Sequence, residues 1–164
     1  MLNAQLTGAD DLSARLADMP AAVRAALQAK AADLAERLRR HVVDDKLSGQ
    51  VLQTRTGALK ASIAAEVSDD AGQVLVRVFS SGDVKYAAIQ EYGGVTAPHD
   101  IVPDKAKALA FVLHGGAVFA KRVHHPGSRI PARSYLRSSL ADMAGQIIAE
   151  FKDAAIAAMQ GAGG

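Results

Sequence analysis

Between His124 and Leu140 the chain reads HHPGSRIPARSYLRSSL, and this stretch limits the possible folds more than any other. Pro126-Gly127 is turn chemistry, because proline fixes φ and glycine tolerates a positive one. Pro131 holds Ile130 extended and cannot donate to a helix ladder. Ser134 is placed to cap a helix that begins one residue later. From there Tyr135, Leu136, Leu140, Met143 and Ile147 fall at helical spacing. The stretch therefore sets where a terminal helix begins, predicted from about Tyr135 to Met159, and how the chain arrives at it.

Upstream, the clearest periodicity is Val23, Leu27, Ala31, Leu34, Leu38 and Val42, with charged residues on the other faces. This predicts a long amphipathic helix that ends near Lys46–Leu47, before Ser48-Gly49. A shorter helical piece is expected around Leu12 and Leu16, interrupted at Pro20. Thr56-Gly57-Ala58-Leu59-Lys60 reads as a capped helical turn. Ile63, Ala65 and Val67, then Val74, Val76 and Val78, alternate as two strands joined by a turn over Ser68–Gly72. Tyr86–Tyr92 reads as a short helix, with Tyr86, Ile89 and Tyr92 on one face and Gly93-Gly94 as its stop. Ala108–Leu113 is predicted to be a buried strand paired with Val118–Val123 across a turn at His114–Ala117. The segments 95–104 and 124–133 are read as loops.

Hairpin-linked strands with helices toward the chain ends predict an α+β fold. A small antiparallel sheet of hairpins would pack against a long N-terminal helix and a C-terminal helix. The 164 residues suit a single domain spanning 1–164, with flexible ends expected near 1–8 and 160–164. Aromatics are few and tryptophan is absent, so Phe79, Tyr92 and Phe111 are expected to carry unusual packing weight.

Without cysteine there is no disulfide, thiolate metal site or cysteine nucleophile. No run approaches the ~20 apolar residues of a membrane span, so no membrane partner is expected. The opening MLNAQLTGADD lacks the basic-then-apolar pattern of a secretory leader, and none is expected. His41, His99, His114, His124 and His125 show no ligand spacing, and adjacent His124 and His125 point to opposite faces of an extended chain. No glycine-rich phosphate loop and no nucleophile elbow occurs. Glu91, set between apolar residues and glycines, reads as a cap or an arginine's partner rather than a catalyst. No catalytic residue, cofactor or metal is expected.

Charge is segregated. Residues 105–141 carry Lys105, Lys107, Lys121, Arg122, Arg129, Arg133 and Arg137 and no carboxylate, whereas residues 1–104 carry 11 basic and 14 acidic side chains. Such a segment suits an anionic partner or an acidic face of a neighbouring subunit. Lys121, Arg122, Arg129, Arg133 and Arg137 are thus candidates for phosphate contact or for subunit seams. Within the stretch 121–137 that they span, Tyr135 is the one Phe, Tyr or Trp that could stack on a base, so sequence readout is not expected.

Three segments in order carry a resemblance: Thr56-Gly57-Ala58-Leu59, then Tyr86-Ala87-Ala88-Ile89-Gln90-Glu91-Tyr92-Gly93-Gly94, then Arg129-Ile130-Pro131-Ala132-Arg133-Ser134-Tyr135-Leu136. Together they resemble tailed-phage tail-completion proteins, also called neck, virion-morphogenesis or tail-component proteins. In that group a TGxL turn, a YAxxxEyG segment and a PARPFL-type segment occur in this order. Gly57, Leu59, Tyr86, Glu91, Gly93, Gly94, Pro131, Arg133 and Leu136 occupy the motif positions. Ser134 stands where the group often has a second proline, which implies a looser approach to the last helix. The resemblance implies a non-enzymatic virion subunit at the head–tail junction, at the stopper, completion or tail-terminator level. It would form a homo-oligomeric ring around the DNA path, six copies being one candidate size, and assemble in the host cytoplasm. Its partners would be other neck and tail proteins and, without sequence preference, genomic DNA. Glu91 and Arg133, each the charged member of an otherwise apolar motif, are expected to pair. The alternative is a small nucleic-acid-binding protein acting non-specifically through residues 105–141.

Overall fold

The computed structural model describes residues 21–70, 73–82 and 84–161. The helical piece expected around Leu12 and Leu16 lies outside them. So do residues 1–8 and 162–164, whereas Gln160 and Gly161 close the last helix. The class is the expected α+β.

Helix α1, Ala21–Arg40, buries Val23, Leu27, Ala31, Leu34, Ala35 and Leu38, the stripe its periodicity predicts. A π-type turn over His41–Asp45 and a 3-10 turn over Lys46–Ser48 carry it to Gly49. There φ of 126° ends it, in a region that favours glycine. Helix α2, Ala58–Ser62, follows Gly57 in the left-handed region, and Thr56 Oγ1 accepts from the Ala58 amide at 3.4 Å. Strands β1, Ile63–Asp70, and β2, Gln73–Ser80, pair antiparallel from Ile63↔Ser80 to Asp70↔Gln73. Ser68 and Asp69 are therefore strand residues, not part of the expected turn, because the ladder continues past the apolar alternation. Helix α3, Ala87–Tyr92, stops at Gly93.

The last helix, α4, Leu136–Gly161, runs antiparallel to α1. Val23 and Leu27 meet Phe151, Ala154, Ala155 and Ala158 at one end. Leu38, Val42 and Leu47 meet Tyr135, Leu136, Leu140 and Met143 at the other, where Ile63 and Val78 bring the β1–β2 hairpin into the same core. Between the two ends, Glu150 accepts from Arg37 at 2.7 and 2.8 Å. Lys46 is buried with its Nζ 2.6 Å from Asp142. Arg24 donates to Asp69 at 2.7 Å, and Gln28 donates to the same carboxylate, tying α1 to β1.

Residues 94–130 form a single broken ribbon. β3 (Gly94–Val95) pairs with β8 (Arg129–Ile130), β4 (His99–Ile101) with β7 (Val123–His125), and β5 (Leu109–Leu113) with β6 (Gly116–Ala120). The first two pairings share one register, since 94↔130 and 101↔123 are equally offset. Between them Thr96 donates its amide to the Ser128 carbonyl at 2.9 Å, and the Ser128 amide donates to Thr96 Oγ1 at 2.8 Å. Beyond Ile101 the outgoing strand carries seven residues, 102–108, against two on the return, 121–122, so the register shifts there. His114 and Gly115, both with positive φ, make the two-residue tip expected of a tight hairpin.

The loops expected at 95–104 and 124–133 are thus largely ribbon. Their strands are two or three residues long, too short to show alternation. The strand expected to be buried, 108–113, is instead exposed, with Val112 at 74 % and Phe119 opposite at 70 %. Phe111 and Tyr92 are likewise exposed, Phe79 is half-buried, and the aromatic at the centre of the core is Tyr135, at 0 %. On α3 the buried residues are Ala87 and Glu91, not the Tyr86/Tyr92 side.

Candidate functional site

The three motif segments meet where the ribbon leaves the body. At their centre is Glu91, 1 % exposed. The first turn of α4 has amide donors with no intrahelical acceptor, and Glu91 supplies one from α3. Its carboxylate accepts from the Tyr135 amide at 2.7 Å, Leu136 at 2.9 Å and Arg137 at 3.1 Å. It also accepts from Ser134 Oγ at 2.6 Å and from Arg137 Nε at 2.9 Å. The Ser138 amide completes the turn by donating to Ser134 Oγ at 3.3 Å. Burial works to raise the Glu91 pKa. The hydrogen bonds from Ser134, Leu136 and Arg137 together outweigh it, and the carboxyl is held below the usual glutamate range. The helix macrodipole favours the same charged form.

Arg137 also donates to the Glu91 carbonyl at 3.0 Å and lies over the Tyr92 ring, 4.6 Å from its centre. The partner of Glu91 is therefore Arg137, not the expected Arg133. Arg137 sits in the first helical turn, within reach of the carboxylate. Arg133 precedes the helix, and its amide donates to the Gln90 carbonyl at 2.7 Å while its side chain lines a groove. Ser134 does not loosen the approach to α4. Its hydroxyl both donates to Glu91 and accepts from Ser138, so the serine fastens that approach. Gly93 makes the junction possible: with φ at 72°, a Cβ there would lie 2.7 Å from the Ala132 amide nitrogen. Tyr135, beneath the clamp, points its hydroxyl at the Ala87 carbonyl, 3.4 Å away. Burial, then the neighbouring Glu91 charge, pushes its pKa up.

Beside the clamp lies an open groove of about 830 Å³. Gly57 and Leu59 of the first motif, Tyr86 and Gln90 of the second and Arg133 of the third line it, with Leu47, Val51 and Leu52 from the end of α1 and the segment after it. Val51 and Leu52 both donate to the Lys46 carbonyl, which fastens that wall to α1. Of the other motif positions, Gly94 begins the ribbon opposite Ile130, Leu136 is buried in the core, and Pro131 is exposed between them.

The five basic candidates divide among four places. Lys121 and Arg122 sit at the register shift of the ribbon, where Arg122 pairs with Asp100 at 2.8 Å. Arg129 lies in β8 at the ribbon base. Arg133 is in the groove and Arg137 on the clamp. Two further cations of the groove, Arg55 and Lys60, were not singled out by sequence. They flank the TGxL turn, and only the fold carries them to Arg133. On the ribbon, His99 and His125 stack with centroids 5.1 Å apart, and His124 lies 3.0 Å from Asp100. Among the described residues no three His, Asp or Glu side chains are grouped to hold a metal ion. No described helix is long and apolar enough to cross a membrane. No protein-family model, curated protein or solved structure matches the chain.

Proposed function

We propose that the protein is a non-enzymatic building block of a tailed-phage head–tail junction, assembling as a homo-oligomeric ring around the DNA path. The observation that carries this reading is the ribbon 94–130. Its outer part, residues 109–120, has no Asp, Glu, Lys or Arg. It is apolar on both faces, with Phe111 paired to Val118 on one and Phe119 to Ala110 on the other. Both faces are left in solvent, which a lone chain gains nothing from. In an assembly such an arm lies between neighbours, and a head-to-tail contact of this kind closes into a ring. The clamp at Glu91 supports the same reading, because it fixes the arm's root to the rigid helical body. Its carboxylate is saturated with hydrogen bonds and has no capacity left for acid–base chemistry.

The reading through a basic 105–141 surface is weaker, since Arg122 and Arg137 are already engaged by carboxylates. The deciding experiment is electron microscopy of particles made from a phage genome lacking this gene. Filled heads and unattached tails are expected; intact tailed particles would overturn the proposal.

A further inference from the structure

We infer that the groove beside the Glu91 clamp is a binding site for the phosphate backbone of a single-stranded nucleic acid. This does not depend on the assembly reading. Three cations line the groove, Arg55, Lys60 and Arg133, and among the described residues no carboxylate does. None of the three takes part in an ion pair among the described residues. Uncompensated like charges around one concavity repel one another, and an anionic ligand relieves that repulsion.

The other lining groups choose among anions. Tyr86 is exposed at the groove and offers a ring face for stacking a base. Gln53, Thr56 and Gln90 offer neutral hydrogen bonds, and Val51, Leu52 and Leu59 an apolar wall for sugar or base. A cationic groove with an aromatic platform is how single strands are held without sequence preference. The volume suits a few nucleotides rather than an enclosed duplex.

The test is fluorescence anisotropy of the full chain with a labelled twelve-nucleotide oligo-dT, titrated between 50 and 200 mM salt. Three phosphate contacts predict a slope of log affinity against log salt of about −2, at ~0.7 per contact for a single strand. Arg55→Ala/Lys60→Ala/Arg133→Ala should bring the slope close to zero, and Tyr86→Leu should weaken binding about tenfold at constant slope. Lys121→Ala/Arg129→Ala, on the ribbon, should change neither. Circular dichroism melting serves as the fold control, and none of these side chains is in the core. Absence of oligo-dT binding at 50 mM salt would overturn the inference. So would an unchanged slope in the triple variant. Equal or better competition by a twelve-residue polyglutamate would assign the groove to an acidic protein segment instead.

Discussion

Glu91 sits where removing one side chain strands several donors at once. Glu91→Ala leaves the buried amides of Tyr135 and Leu136 without their acceptor, while the half-exposed Arg137 keeps the backbone carbonyl of residue 91. Each buried donor left unsatisfied costs about 1–3 kcal/mol, so with two amides stranded chemical denaturation should read a loss of about 2–6 kcal/mol. Glu91→Gln keeps one acceptor oxygen but turns an NH2 group toward donors, and should cost about 2 kcal/mol. The pH dependence has a definite sign. The folded pKa of Glu91 is depressed, so its contribution is complete above the ordinary value of 4.5 and is lost as pH falls through the lower folded value. The gap in melting temperature between wild type and Glu91→Gln should therefore be widest near neutral pH and shrink below 4.5. A constant gap would mean that the carboxylate is not ionised in the clamp. The sequence marked Glu91 as a cap or an arginine's partner because a lone acid among apolar residues needs donors. It could not name Arg137 over Arg133, since that choice depends on where α4 begins, one residue later than the capping serine suggested.

At the scale of elements, legibility followed the length of each pattern. Helix α1 was visible because its stripe repeats over five turns, and the β1–β2 pair because Ile63, Ala65 and Val67 and then Val74, Val76 and Val78 alternate on either side of a turn. The ribbon was not visible as one object. Its pairings, 94↔130 and 99↔125, are non-local and involve strands of two and three residues, so no window of sequence contains the pattern. What could be read locally was Pro126-Gly127, and the structure gives the glycine a specific task. Its φ is 88°, and a Cβ there would lie 2.2 Å from the Thr96 carbonyl oxygen. Gly127→Ala is therefore expected to open the ribbon between its first two pairings while leaving the helical body folded. Hydrogen exchange should show lost protection at Thr96 and Ser128, whose amides cross the break. Amides of α1 and α4 should exchange as in the wild type. Loss of protection throughout the chain would mean that ribbon and body fold as one cooperative unit.

The whole molecule divides its apolar surface in an uneven way. The two helices and the β1–β2 hairpin bury a contiguous aliphatic core around Tyr135, and the clamp at Glu91 closes the end of that core from which the ribbon leaves. Farther out, Phe111, Val112, Leu113 and Phe119 remain exposed. A sequence reading assigns Phe111, Val112 and Leu113 to a core because they look like core residues, and only the topology places them beyond it. Because the arm takes no part in the helical core, its tip can be altered without touching what holds the body together. Phe111→Asp/Phe119→Asp should leave the melting temperature within about 4 °C, since two exposed substitutions at ±0.5 kcal/mol each amount to no more than about 1 kcal/mol. The same variant should lose self-association, because carboxylates on both faces of the tip would have to be desolvated against an apolar neighbour. Sedimentation velocity over a range of concentrations separates the two effects. A wild type that forms discrete oligomers and a variant that stays monomeric at equal thermal stability would tie assembly to the arm. Oligomers that persist in the variant would move the contact elsewhere, and a variant that melts early would show that the tip folds back onto its own body.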